Sequence, residues 1–264
     1  MNNMELSLVF FTVLSQAAIG LVILSSVRQL ALEGPAGNVR MEWLAAAILL
    51  LVGMLASLFH LGHPLGAPRA LTHLGTAWLS REALGVGLVL GLMVLGFITA
   101  REAVKPGLAL AAGAVGLLAL FFMGMTYAPP GYPALSNALP LVFFLLTAAV
   151  LGTAFSSYFA PAEKKPLLAR ILGVSLLVAL VVYLVVPLVW LSGGTVMQQT
   201  GTAYLTSPLY WTRIIIGLAI PLYAIWRSGS ISFWVPPVIL FGELIGRVAF
   251  FSLSVHASAN IGGL

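Results

Sequence analysis

Six ionisable side chains crowd into one segment of a chain that otherwise avoids charge. The stretch from 60 to 82, HLGHPLGAPRALTHLGTAWLSRE, carries His60, His63, His73, Arg69, Arg81 and Glu82, while only 7% of the 264 residues are charged. An imidazole titrates near neutral pH and a desolvated carboxyl can be brought close to it, so a histidine beside a glutamate can take up and release protons. A second group sits inside an apolar run. FGELIGRVAFF (241–251) holds Glu243 and Arg247 four residues apart, on one helix face where they are expected to pair. Each would cost on the order of 2.5–3.5 kcal/mol near the centre of a bilayer, which makes such residues functional candidates. The pair reads either as a structural bridge that fixes helix register or as the lining of a cofactor or proton site. Gln16, one turn after Thr12, is a third isolated polar group. It reads as interhelical glue or as a cavity-lining side chain.

The rest of the chain must be the scaffold that positions these groups. Hydrophobic residues make up 61% of it and mean hydropathy is +1.08. A soluble fold could not hide so much apolar surface, so lipid is the expected solvent. Cysteine is absent, which excludes thiolate-held iron–sulfur clusters, thiolate zinc sites and disulfides within this chain. A net charge of +5 would suggest nucleic acid in a soluble protein, but here the basic residues stand at the ends of apolar runs. No metal-ligand set is apparent.

The runs predict an all-α integral membrane protein, a single domain over residues 1–264. Eight transmembrane helices are expected near 6–28, 42–61, 82–101, 106–127, 136–159, 168–191, 209–227 and 233–256. The runs are continuous rather than alternating, which disfavours a barrel. The first run is too long for a signal-peptide core and has an acidic flank, so it is expected to remain as a span. Helix 3 is expected to open near Ser80, an N-cap type, with Arg81 and Glu82 in its first turn. The ordinary reading of Glu82 is then a carboxylate favoured by the helix dipole, and that of His60 an interfacial histidine at a helix end. The two together, on one side of the membrane, weaken the ordinary reading of each. Arg213 is expected to snorkel outward, with an inward orientation toward the bundle as the second reading, and Tyr204, Tyr210 and Trp211 are expected as an interfacial belt. His256 is expected on helix 8, facing away from Glu243 and Arg247.

Loop charge alternates. Arg28, Arg40, Arg101, Lys105, Lys164, Lys165, Arg170 and Arg227 follow or open the connections after helices 1, 3, 5 and 7. The connections 128–133 and 192–207 carry no Lys or Arg. The positive-inside rule puts the basic connections in the cytoplasm and both termini, with the 60–82 stretch, on the outer side, although Arg69 and Arg81 make that stretch a partial violation of the rule.

FTVLSQ (11–16), FHLGHP (59–64), AWLSREAL (77–84) and GELIGR (242–247) resemble, in order and along the whole chain, the signature positions of the membrane-anchor subunit of dimethyl sulfoxide reductase-type molybdoenzymes. The resemblance implies a multi-pass protein of a bacterial or archaeal inner (cytoplasmic) membrane. It implies two partners on the outer face: a molybdopterin catalytic subunit and an iron–sulfur subunit with four [4Fe–4S] clusters. It further implies that the anchor oxidises menaquinol and passes the electrons to the nearest cluster, in anaerobic respiration. Within that family the positions of His60 and Glu82 are implicated in quinol binding. Arg81, His63, Gln16, Glu243 and Arg247 are added here as candidate contacts. Two positions depart from the family pattern, which often has Ser at His63 and Asn at Arg81. The extra histidine and cation bear on quinol preference or on contact with the iron–sulfur subunit.

Three rival readings are weaker. A quinone-reducing anchor with reversed electron flow would look the same in this chain. A small-solute transporter should show an inverted repeat or paired broken helices, and the sequence has neither. A haem b anchor needs two axial histidines facing each other within the bilayer, and all four histidines fall at or outside one edge. No haem is therefore expected.

Overall fold

Lipid offers no partner for backbone N–H and C=O groups, so each apolar run closes its own hydrogen bonds as a helix. A computed structural model describes residues 3–59 and 64–260, with backbone alone for residues 3–5, 64, 65, 67 and 260. The helices are α1 (Asn3–Ala31), α2 (Val39–Leu58), α3 (Trp78–Thr99), α4 (Pro106–Thr126), α5 (Leu139–Ser156) and α6 (Lys165–Leu191). They continue with α7 (Thr195–Thr206), α8 (Pro208–Ser228) and α9 (Val235–Leu253). Among the described residues, eight helices are long and apolar enough to cross a membrane, all of these except α7. That is the number and order that the apolar runs imply.

Eight crossings gather the connections after α2, α4 and α6 at one end, together with the start of α1 and the end of α9. We call this the rim end. The connections after α1, α3, α5 and α8 gather at the other, basic end. The basic end has short links, one of them with a 3-10 turn at Ala162–Lys164. The rim end carries extra structure: a 3-10 helix at Pro64–His73, α7, and a 3-10 turn at Ala257–Asn260. The stretch 192–207, expected as a loop, is therefore mostly helix.

The bundle is organised around α1, of whose apolar window 72% is buried, more than in any other span. It packs against α2, α4, α5 and α9. Small residues make this possible. A Cβ on Gly20 would fall 2.0 Å from the Ala148 carbonyl oxygen of α5, and one on Gly152 would fall 2.3 Å from the Gly20 backbone. The two backbones touch there, and dispersion contacts replace the hydrophobic effect that lipid does not supply.

Two boundaries differ from expectation in ways that affect the site. Helix α3 opens at Trp78, after an extended Ala77, and has no side-chain cap. The Trp78 ring packs on Phe121 and Phe122 of α4, with centroids 5.8 and 6.3 Å apart. That anchorage starts the helix two residues before Ser80 and carries Glu82 past the first turn. At the other end of the chain, α9 stops at Leu253. His256 thus lies beyond the helix, exposed, with its ring edge on Tyr132 (5.0 Å) and Nδ1 2.7 Å from the Ser258 hydroxyl.

Candidate functional site

Glu82 enters the protein through α3. Its side chain is 1% exposed, and neither carboxyl oxygen has a hydrogen-bond partner among the described residues. The Thr126 hydroxyl is adjacent, but it donates to the Phe122 carbonyl at 2.9 Å. Its proton is therefore engaged by its own helix. A bare buried carboxylate is costly. Such a group calls for a proton, or for a donor brought by something else.

Arg81, its chain neighbour, points elsewhere. It stacks 4.3 Å over the Trp78 ring and donates through Nε to the Leu74 carbonyl (2.9 Å) and through Nη2 to the Gly75 carbonyl (2.7 Å). It pins the turn that leads into α3. His73 is exposed and closes the 3-10 helix. His60 and His63 fall outside the described residues. The last described residue before them, Phe59, is 81% exposed.

The second group of candidates does converge. Gln16 of α1 accepts a hydrogen bond from Arg247 Nη2 of α9 at 2.7 Å, and the same nitrogen lies 3.3 Å from the Thr147 hydroxyl of α5. Thr147 donates to Glu243 at 2.6 Å. Glu243 in turn receives Arg213 Nη2 of α8 on both oxygens, at 3.0 and 2.8 Å. Five residues from four helices form one buried network. At ~1.5 Å of rise per residue, Gln16 lies roughly 20 Å and Glu243 roughly 15 Å in from the rim-end termini of their helices.

This arrangement corrects the expected Glu243–Arg247 pair. The two share a face, as their spacing requires, but the carboxylate bonds Arg213 and reaches Arg247 only through Thr147. It also corrects Arg213, which does not snorkel. Helix α8 widens into a π-helix at Arg213–Ala219, and Arg213 is buried with its guanidinium 3.5 Å over the Tyr183 ring. Two glycines make room. A Cβ on Gly242 would lie 2.2 Å from the Gly217 Cα, and one on Gly246 would lie 2.2 Å from Arg213 Cδ. The GELIGR glycines therefore do more than admit a helix, because one of them seats the arginine. Tyr204 and Tyr210 are likewise internal, packed edge-to-face in series with Trp190 at 5.0 and 5.9 Å, and of the three belt residues only Trp211 is exposed.

The network is not closed. With one carboxylate against two guanidinium groups it holds an uncompensated cation. Arg247 meets only neutral oxygens, both through Nη2, and the faces of Phe144 (4.1 Å) and Phe250 (5.5 Å). Arg247 Nη1, Gln16 Nε2, Arg213 Nε and the Tyr183 hydroxyl are buried without a partner among the described residues.

A second buried ion pair, at the basic end, is one that the sequence reading misses. Arg28 of α1 donates to both oxygens of Glu42 of α2 and to the Ser156 hydroxyl, and its Nε donates to the Ala36 carbonyl at 2.9 Å. Ser156 also donates to Glu42 at 3.0 Å. A signal for it exists, because Arg28 in the last turn of one helix and Glu42 in the first turn of the next are joined by a short link.

Among the described residues, no three His, Cys, Asp or Glu side chains come together to hold a metal ion. A groove of about 410 Å³ runs between α1 and α2 at the rim end, lined by Leu6, Phe10, Val52, Leu55, Ala56 and Phe59.

Comparison with known proteins matches residues 1–253 to the family model described as DMSO reductase anchor subunit (DmsC). The sequence is 26% identical over 294 aligned positions to the YnfH chain of an anaerobic dimethyl sulfoxide reductase of Escherichia coli (strain K12), covering 98% of each. It is 28% identical over 277 positions to the C subunit of the anaerobic dimethyl sulfoxide reductase of Haemophilus influenzae, again covering 98% of each.

Proposed function

Because the chain belongs to the DMSO reductase anchor-subunit family, we propose that it oxidises menaquinol at the rim end and delivers the electrons to an iron–sulfur partner subunit. An anchor of such a complex serves a catalytic subunit and an iron–sulfur subunit. This chain has no cysteine with which to hold a cluster, so electrons released from quinol leave it for the partner. A partner with four [4Fe–4S] clusters on the outer face fits the family resemblance.

The observation that carries the reading is the unpartnered carboxyl of Glu82. A hydroquinone hydroxyl is a donor and a source of a proton, the two things that completion of this site requires. As two electrons pass to the partner, the two hydroxyl protons go to Glu82 and His60 and from there to water. The imidazole of His60 is suited to that work by its ordinary titration range. Its role rests on the family resemblance, since it lies outside the described residues. The α1–α2 groove ends at Phe59, directly before His60, and is apolar enough for an isoprenoid tail.

Basic residues Arg28, Arg40, Arg101, Lys105, Lys164, Lys165, Arg170 and Arg227 occupy the other end of the bundle. The positive-inside rule then favours a cytoplasmic basic end, a periplasmic rim and outward termini in the inner membrane. Protons released at the rim stay on the side where the reductase consumes them, so quinol oxidation moves little net charge across the membrane. Voltage-dye measurement in proteoliposomes containing the whole complex tests this, and a potential built up by menaquinol oxidation would contradict the assigned side.

A further inference from the structure

Tyr127 stands where the two polar centres of the rim half meet. It caps α4 immediately after Thr126, the residue beside Glu82, and its backbone N–H returns to the Met123 carbonyl at 3.1 Å. Its ring is gripped edge-on by Phe144 of α5 at 5.5 Å and Phe251 of α9 at 5.6 Å. Phe144 is the ring over which Arg247 lies at 4.1 Å. The Glu82 carboxyl and the Arg247 guanidinium both act electrostatically on its phenol. Among the described residues, the Tyr127 hydroxyl makes no hydrogen bond.

Tyr127 is only partly buried, and its hydroxyl is not sealed in the core, so it stands open to a ligand. The neighbours do not supply a partner. Glu82 has both oxygens unused and Arg247 has Nη1 unused, yet neither bonds the phenol. Two aromatic clamps fix the direction of the ring, so the hydroxyl is presented at one place. A phenol of reference pKa about 10 is a neutral donor at physiological pH. It can donate to a ligand oxygen while Glu82 accepts from one.

We propose that Tyr127 is a ligand-contacting residue of the quinol site, its hydroxyl donating to the quinol oxygen whose own hydrogen faces Glu82. The assignment rests on the reading of Glu82 given above and extends it. The site gains a fixed donor on α4 beside an acceptor on α3, so one ligand oxygen is held from two sides. Phe144 and Phe251 act as positioning residues for that donor, and Arg247 positions Phe144.

The test uses the assembled complex with Tyr127→Phe, which keeps the ring and its two clamps and removes only the hydroxyl. The probe is a short-chain naphthoquinol. Equilibrium titration should give a dissociation constant about three- to tenfold higher than that of the unmodified complex, the loss expected for one neutral hydrogen bond. KM should rise in step while kcat changes less than twofold. A merely structural tyrosine would leave the dissociation constant unmoved, and an unchanged constant in a complex that retains its partner subunits and its melting midpoint overturns the proposal. Tyr127→Leu, which removes ring and hydroxyl together, should weaken binding further, and binding equal to that of Tyr127→Phe would show that the clamps contribute nothing and overturn their positioning role. A parallel Glu82→Gln complex separates the two readings. Full turnover there defeats the function assigned to Glu82, whereas the Tyr127→Phe dissociation constant answers for Tyr127 alone.

Discussion

The two ends of this bundle treat buried charge in opposite ways. At the basic end, Arg28 and Glu42 use each other fully. All three guanidinium nitrogens donate, both carboxylate oxygens accept, and Ser156 completes the set. In the rim half, Glu82 has no partner among the described residues, and Arg247 and Gln16 each keep an unused donor. A closed cluster can only hold helices in place. An open one is costly unless something arrives to complete it. The contrast is the reason for placing the proposed site in the rim half rather than at the basic end.

Arginine replacements should sort along that contrast. Arg28→Met strands the Glu42 carboxylate in a dry interface and should destabilise the bundle by about 3–5 kcal/mol, read as a lowered midpoint of detergent unfolding. Adding Glu42→Leu should restore much of the loss. Arg213→Met strands Glu243 in the same way and should cost about as much, with no rescue from Arg247, which Glu243 reaches only through Thr147. A full rescue would mean that the network re-pairs within α9, as the spacing of Glu243 and Arg247 alone would suggest.

Arg247→Met should cost less, about 1–3 kcal/mol, because it leaves only the neutral Gln16 oxygen without its donor. A loss as large as that for Arg28→Met would show Arg247 to be paired with a carboxylate, and the comparison would fail. The smallest effect belongs to Thr147→Val. Interhelical hydrogen bonds of this kind average about 0.6 kcal/mol in bilayers, and the Arg213–Glu243 pair survives without the hydroxyl. A double-mutant cycle with Arg247→Met should show coupling no larger than that.

Much of this architecture is legible in the chain, and the reasons are physical. Eight apolar runs map onto eight spans because lipid leaves a helix no alternative. Gln16, Glu243 and Arg247 stand out because polar atoms in apolar runs must meet something, and all three end in one network that Thr147 and Arg213 complete. Side-chain reach is less legible. Helical periodicity pairs Glu243 with Arg247, but it cannot show that a π-helix in α8 and the space over Gly246 bring Arg213 to the carboxylate first. Ser80 resembles a cap, yet the Trp78 contact with α4 sets the start of α3. Arg28 reads as a topological charge because nothing local distinguishes a basic residue facing headgroups from one facing Glu42. Tyr127 carries no motif, and its setting exists only once α3, α4, α5 and α9 are assembled.

The central claim is that the Glu82 carboxyl takes part in quinol oxidation. The direct measurement is menaquinol-driven reduction of the terminal acceptor by the complete complex carrying Glu82→Gln in proteoliposomes. A reductant that bypasses the anchor and feeds the partner subunits serves as the internal control. The account predicts a fall of about a hundredfold with menaquinol, in the range typical for loss of a proton acceptor, with the bypass rate intact. Undiminished menaquinol turnover in that variant would contradict it.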